Sequence, residues 1–274
     1  MKRNIIRTLF AACVTSAMLL ACDPLEPTTY TENFYRVATV QYIKDKASLL
    51  LDYTGETYLF DNFSTAADMD QFEVKAGDRI IAGMTLSAIE NIANNKLHLD
   101  EVYPLPIGAL AESRPSDTIN YRYWFDYLYL INYKYPKIWS QGHFVNLAPS
   151  FYLTSEKKVP QFYLYPMDVK NDTLIMRLFA DIPDTLSTNQ YSLEQTLLCY
   201  DVSTLRDPVS NPAQKAYRDS LYHLLSAMNK DSITVQIFSA DTLRDKIMTS
   251  DGVVERKFFP FPRAQVSVSI PFDF

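Results

Sequence analysis

The sequence is short of glycine, histidine and cysteine. Six glycines among 274 residues leave no glycine-rich loop of the kind that cradles phosphates. The three histidines, His98, His143 and His223, are far apart, and none has a second His two or four residues away. That excludes the usual His-based metal motifs. The Gly-x-Ser-x-Gly elbow of nucleophilic hydrolases is absent. Basic residues are not in excess either. Lys and Arg number 26 against 32 Asp and Glu, a formal charge of -6, which argues against a general nucleic-acid binder. Acids are so widely spread that Asp126, or Asp181 with Asp184, is not singled out as a general acid and base. The expectation is no enzyme, no cofactor and no metal. What the chain has in quantity is aromatic residues, with 19 Tyr and 16 Phe, and these favour strands. Apolar residues at 47% and charged residues at 21% suit a folded globular protein of one large or two modest domains.

Residues 1–22 read MKRNIIRTLFAACVTSAMLLAC. Lys2, Arg3 and Arg7 form a positive start, and an apolar stretch runs from Leu9 to Ala21. This is shorter than the roughly 20 residues of a membrane-spanning helix and fits the apolar part of a signal peptide. Leu19-Leu20-Ala21-Cys22 resembles the bacterial lipobox. The resemblance implies cleavage before Cys22 and lipid on its thiol and amine. The alternative is an ordinary secretory signal with Cys22 incidental. Several acyl chains hold a protein on a membrane where a single one binds marginally. Cleavage at that point takes three basic residues from the 26 and leaves 23 against 32 acidic ones, a mature charge of -9. It also removes Cys13, so with Cys22 lipidated only Cys199 is left and no intrachain disulfide is possible. The apolar run Leu197-Leu198-Cys199-Tyr200 predicts a buried, inert thiol.

Residues 22–33 read as a lipidated tether, with two prolines and three threonines after Cys22. Asp23 and Glu26 within it resemble the acidic surface-export signal of Bacteroidetes lipoproteins. Residues 34–107 hold five strand candidates: 35–42, 48–53, 57–60, 79–86 and 97–103. Thr54-Gly55 makes a hairpin turn, and Asn62 to Lys75 is a polar excursion. Five short strands with one longer excursion suggest a small OB-like barrel. Residues 108–118 read as a linker, broken by Pro115. Residues 119–274 read as an immunoglobulin-like β-sandwich with strands near 144–153, 161–166, 173–179, 197–202, 233–238 and 265–270. One helix is expected near 212–229. Asn211 caps it, Pro212 opens it, and Ala216, Tyr217, Leu221, Leu224, Leu225 and Met228 give it an apolar face. The fold class is therefore mainly β, a barrel followed by a sandwich with one inserted helix.

The motifs of both halves resemble one family. Val37-Ala38-Thr39-Val40, Leu49-Leu50-Leu51-Asp52-x-x-Gly55 and Gly77-Asp78-Arg79-Ile80 are similar to the N-terminal domain of the NigD-like lipoproteins of Bacteroidetes. Trp139 followed by Gly142-His143-Phe144-Val145-Asn146-Leu147, then Thr173-Leu174-Ile175-Met176-Arg177-Leu178 and Val202-Ser203-Thr204-Leu205, are similar to segments of its second domain. The resemblance implies an OB-like barrel followed by a sandwich. It further implies a non-enzymatic protein held by lipid on Cys22 to the cell envelope, at the outer membrane, with an immunity, accessory or assembly role. The periplasmic and surface faces both stay open.

The aromatic side chains supply the candidate binding residues. Tyr121, Tyr123, Phe125, Tyr127, Tyr129, Ile131, Tyr133 and Tyr135 recur with period two, as on one face of an extended strand. Either the row stacks on glycan rings or anchors a protein partner, or it is the inward face of a sandwich strand. On the barrel, Tyr53, Tyr58 and Phe60 fall where OB folds bind oligosaccharides. The expected partners are the membrane, through Cys22, and an envelope protein or glycan, with no nucleic acid. A surface glycan-capture module is the alternative function, and a hydrolase stands behind it.

Overall fold

The computed structural model describes residues 29–89, 92–115, 123–153, 160–181, 192–238, 244–249, 252–257 and 265–273. Residues 1–28, Cys22 among them, and Tyr121 lie outside them.

The chain is mainly β. Strands β1 (Thr29–Ile43), β2 (Lys46–Leu51), β3 (Thr57–Tyr58), β4 (Arg79–Ile89) and β5 (Ile92–Pro104) form one sheet in the order β3-β2-β1-β4-β5. Lys44 and Asp45 both have positive φ and form the two-residue turn between β1 and β2. Such turns match the twist of the strands they join. The first strand starts earlier than the composition suggests. Thr29 to Asn33, read as tether, pair with Ile89 to Thr85, because β4 is long enough to offer them partners.

The sheet curls until its ends meet, as in an OB-like barrel. Asp61 N–H donates to Leu97 O at 3.0 Å. Beside it the Asn62 side chain takes the part of a strand residue: its amide donates to Leu99 O at 2.8 Å and its oxygen accepts from Leu99 N–H at 2.9 Å. The polar excursion contains a helix, α1 (Ala66–Gln71), capped by Thr65 and Asp68 in a reciprocal box. Met69 on α1 joins the barrel core with Phe60 and Phe63. Six residues are too few for helical periodicity to be legible.

The second half begins with β6 (Ile107–Ala109), two residues after β5. Residues 108–118, read as a linker, thus open inside the sandwich. It continues with β7 (Tyr123–Phe125), β8 (Leu128–Leu130), β9 (Tyr133–Tyr135), β10 (Ile138–Gln141), β11 (Phe144–Leu147), β12 (Pro149–Leu153), β13 (Gln161–Lys170), β14 (Thr173–Asp181), β15 (Ser192–Gln195) and β16 (Leu198–Asp201). A 3₁₀ turn (Val202–Arg206) and helix α2 (Pro212–Ser226) follow, then β17 (Ser232–Phe238), β18 (Arg244–Thr249), β19 (Gly252–Lys257) and β20 (Gln265–Pro271). Sheets β10-β11-β16-β6, β13-β14-β17-β20 and β15-β12-β7 share one core, and β18–β19 and β8–β9 are separate hairpins.

Helix α2 is where its caps place it. Asn211 accepts from Ala213 N–H, and Leu221 and Leu225 are buried. Leu224 departs from the expected apolar face and is exposed. Arg218 takes the buried position instead and donates to the backbone oxygens of Thr204, Leu110 and Ala111 at 2.8–3.0 Å. One arginine thereby ties the helix to the 3₁₀ turn and to the strand entering from the barrel.

The aromatic row is not one extended strand. It breaks into β7, β8 and β9, with a reversal at Ile131 and Asn132, whose φ is 59°. A two-residue turn inverts the parity of alternation. Tyr129 comes to lie opposite Lys134, and Leu130 opposite Tyr133. Odd-numbered residues that face out before the turn have odd-numbered counterparts that face in after it.

Candidate functional site

The chemically rich side chains converge where barrel meets sandwich. Val37 and Leu105 of the barrel pack with Leu128, Tyr135, Trp139, Ala148 and Cys199 of the sandwich into a shared core. Asp52 follows the last residue of β2, and Arg79 opens β4. The two form a fully buried ion pair. Arg79 also donates to Thr39 Oγ1 at 2.6 Å and to Asn146 Oδ1 at 3.1 Å. Trp139 Nε1 donates to Asp52 Oδ2 at 2.9 Å, and Asn146 Nδ2 donates to the same oxygen at 3.2 Å. The Tyr135 hydroxyl accepts from Val37 N–H at 2.8 Å, and its ring stacks on Trp139 at 4.6 Å.

The electrostatics fit a sealed site. Burial works to depress the Arg79 pKa, but its hydrogen bonds to Asp52 and that carboxylate's charge outweigh burial and hold the guanidinium above its ordinary value. Burial lifts the Cys199 thiol to about 11, against the pull of Arg79. Burial likewise raises the Tyr135 hydroxyl. The thiol stays protonated and the arginine stays charged at any physiological pH. Such a cluster joins the barrel to the sandwich. Asp52, Arg79, Trp139 and Asn146 stand inside the motifs quoted above. A charged residue at the end of an apolar run, as in Leu49-Leu50-Leu51-Asp52, is the signal that marks Asp52.

The proposed binding residues separate into buried and exposed sets. Tyr123 is 2% exposed, and its hydroxyl donates to Leu178 O at 2.5 Å. Phe60 is 6% exposed and meets Phe63 edge-on at 6.1 Å. Neither faces a ligand, and both expectations are corrected. Each packs into a core, where an aromatic contributes most. Tyr58 is half-buried, whereas Tyr53 is 61% exposed. Tyr127 and Tyr129 are exposed on the outer face of the β8–β9 hairpin, at 40% and 64%, with Ile131 at its turn. Lys134 Nζ lies 3.9 Å from the centre of the Tyr127 ring and 5.2 Å from that of Tyr129. Lys137 lies 5.5 Å from Tyr127. On the inner face Arg36 stacks over Tyr133 at 4.1 Å, and Tyr35 N–H reaches Ile131 O at 3.4 Å. The Asn132 amide donates to Asn33 O at 2.8 Å. The structure therefore keeps Tyr127 and Tyr129 together and separates them from Tyr123.

Among the described residues no three His, Cys, Asp or Glu side chains gather to hold a metal ion.

No protein-family model and no curated protein matches the chain. Solved structures do. Its structural neighbours include a NigD-like immunity protein. That protein, from Bacteroides caccae, is 13% identical, with a TM-score of 0.40 over 88% of this chain and 97% of its own. A candidate lipoprotein from Bacteroides fragilis is 10% identical, with a TM-score of 0.47 over 86% of this chain and 97% of its own. An uncharacterised protein from Parabacteroides merdae is 13% identical, with a TM-score of 0.45 over 87% and 97%. The first carries the name of the family that the sequence motifs resemble.

Proposed function

We propose that the chain is a lipid-anchored, non-catalytic protein of the cell envelope, held by Cys22 at the outer membrane, with a binding, accessory or assembly role. The observation that carries this reading is the Asp52–Arg79–Asn146–Trp139 cluster. These charged and polar side chains are buried as a latch between the two β halves and are closed to a substrate. The lipobox resemblance at Leu19 to Cys22 supports the anchor. Cells carrying Cys22→Ser test it. The variant is expected in the soluble fraction after a high-salt wash that strips peripheral proteins. Wild-type retention of the variant on membranes after that wash overturns the anchor.

The second reading is glycan capture by aromatic side chains. It retains Tyr53, Tyr127 and Tyr129 and loses Phe60 and Tyr123 to the cores. Tyrosine pairs spaced along a hairpin suit sugar rings. Binding of soluble polysaccharide that disappears with Tyr127→Ser and Tyr129→Ser is the result that favours it.

A further inference from the structure

The β8–β9 hairpin combines apolar exposure with positive charge on a chain whose acids outnumber its bases. From Asp126 to Lys137 the chain reads DYLYLINYKYPK, with two lysines and one aspartate. The mature chain as a whole carries -9. Tyr127, Tyr129 and Ile131 are 40%, 64% and 56% exposed. The two lysines lie over the Tyr127 ring, and Lys134 also reaches Tyr129. Tyrosine beside lysine is the pairing of a membrane–water boundary, where rings sit among headgroups and ammonium groups reach the phosphates.

The position of the hairpin makes such a contact reachable. Its turn is bonded to Asn33 and Tyr35 near the start of β1. At about 3.4 Å per residue, Tyr35 lies about 20 Å along the strand from Thr29. Seven residues of chain lead from Cys22 to Thr29 and span at most about 25 Å. A bilayer holding lipid on Cys22 is thus within reach of the hairpin's outer face.

We infer that this hairpin is a second membrane contact: Tyr127, Tyr129 and Ile131 enter the headgroup region of the bilayer that holds the Cys22 lipid, and Lys134 and Lys137 face anionic phosphates. The inference rests on the lipid-anchor reading for its geometry. Two contacts fix the body's orientation on the membrane, where a tether alone leaves it free to turn. Asp126, just before β8, acts electrostatically on Lys134 and moderates the attraction, so the apolar side chains carry most of the binding.

The test uses the mature chain from residue 22 with Cys22→Ser, which has no lipid, and reads flotation with vesicles. Vesicles of phosphatidylcholine with one third phosphatidylglycerol are expected to carry the protein, and phosphatidylcholine alone to carry less. The triple variant Tyr127→Ser, Tyr129→Ser, Ile131→Ser is expected to lose at least about tenfold in partitioning, since it removes the buried apolar area on which interfacial binding scales. Tyr129→Ser alone is expected to lose part of this. Leu224→Ser, at an exposed leucine of α2, is expected to float like wild type, and the fluorescence of Trp124 and Trp139 verifies that each variant is folded. Absence of wild-type flotation at millimolar lipid overturns the inference. So does wild-type flotation of the folded triple variant, or polysaccharide binding through the same tyrosines without vesicle binding. The anchor is read separately, from the intact mass of the membrane-extracted protein. An unmodified Cys22 with vesicle binding intact refutes the anchor and leaves the hairpin contact standing.

Discussion

Arg79 of the barrel donates to the side-chain oxygen of Asn146 in the sandwich at 3.1 Å, across 67 residues of chain. The same guanidinium grips Asp52 in its own domain, and Asp52 in turn accepts from Trp139 and Asn146. Thr39 of the barrel accepts from Arg79 as well, while Trp139 and Asn146 reach the pair from the sandwich. A buried charge that lost its counterion there would have no water to turn to.

Asp52→Ala and Arg79→Met should each therefore cost about 3–5 kcal/mol in urea unfolding, the usual loss when one member of a buried pair is left alone. The double replacement Asp52→Ala with Arg79→Met should cost clearly less than the two singles together. Additive losses would mean that the two side chains are not coupled.

Cys199 should resist alkylation. With its thiol lifted to about 11 by burial, roughly one molecule in a thousand carries a thiolate at pH 8. Iodoacetamide should label it only when urea unfolds the chain. Native labelling at the rate of a free cysteine would contradict the burial.

Asn62→Ala removes both bonds that stand in for strand pairing at the barrel seam. It leaves the Leu99 N–H and C=O without those partners, at a cost of about 1–3 kcal/mol. Hydrogen exchange should speed up at the Leu99 amide more than at the amides of β1 and β4. Uniform exchange changes would show that the seam opens only with the whole barrel.

Gly108→Ala should destabilise by about 1–3 kcal/mol, because overpacking a filled site forces its neighbours apart. A Cβ at that position would lie 2.9 Å from two atoms of the Tyr200 ring, which is itself buried. Thermal unfolding reads the effect. An unchanged midpoint would show that the ring can move.

The α1 cap has a pH signature. Backbone N–H groups of Ser64 and Thr65 bond the Asp68 carboxylate and hold its pKa below the ordinary value. A depressed carboxylate stabilises the fold above its unfolded-state pKa, near 4, and that contribution is lost as pH falls through the folded value. The stability difference between wild type and Asp68→Asn should accordingly be largest at neutral pH and shrink below about pH 4.

Much of the barrel was legible because its strands alternate and its turns carry Gly55 and Gly77. Helix α2 was legible from Asn211-Pro212 and its apolar spacing. Helix α1 was not, since six residues do not complete two turns, although Thr65-x-x-Asp68 is a visible cap. The aromatic row from 121 to 135 misled for a specific reason. Period two is the same on both limbs of a hairpin, and Asn132 alone marks the inversion between them. The interdomain cluster was half legible: Asp52, Arg79, Trp139 and Asn146 stand out in their motifs. Nothing local shows that residues 27, 87 and 94 positions away meet around the Asp52 carboxylate. Charged residues at strand ends usually face water, and only tertiary packing turned these inward.

The latch also sets a timetable. A ribosome delivers Asp52 and Arg79 well before Trp139 and Asn146, and the apolar face around Val37 and Leu105 is finished at the same early stage. Until residue 146 has emerged, the nascent barrel has a ready-made docking face and a salt bridge missing half its partners. The first half is born adhesive, and the second half arrives as its lid. Roughly the first 140 residues are therefore the stage of synthesis at which exposed apolar surface is most open to aggregation.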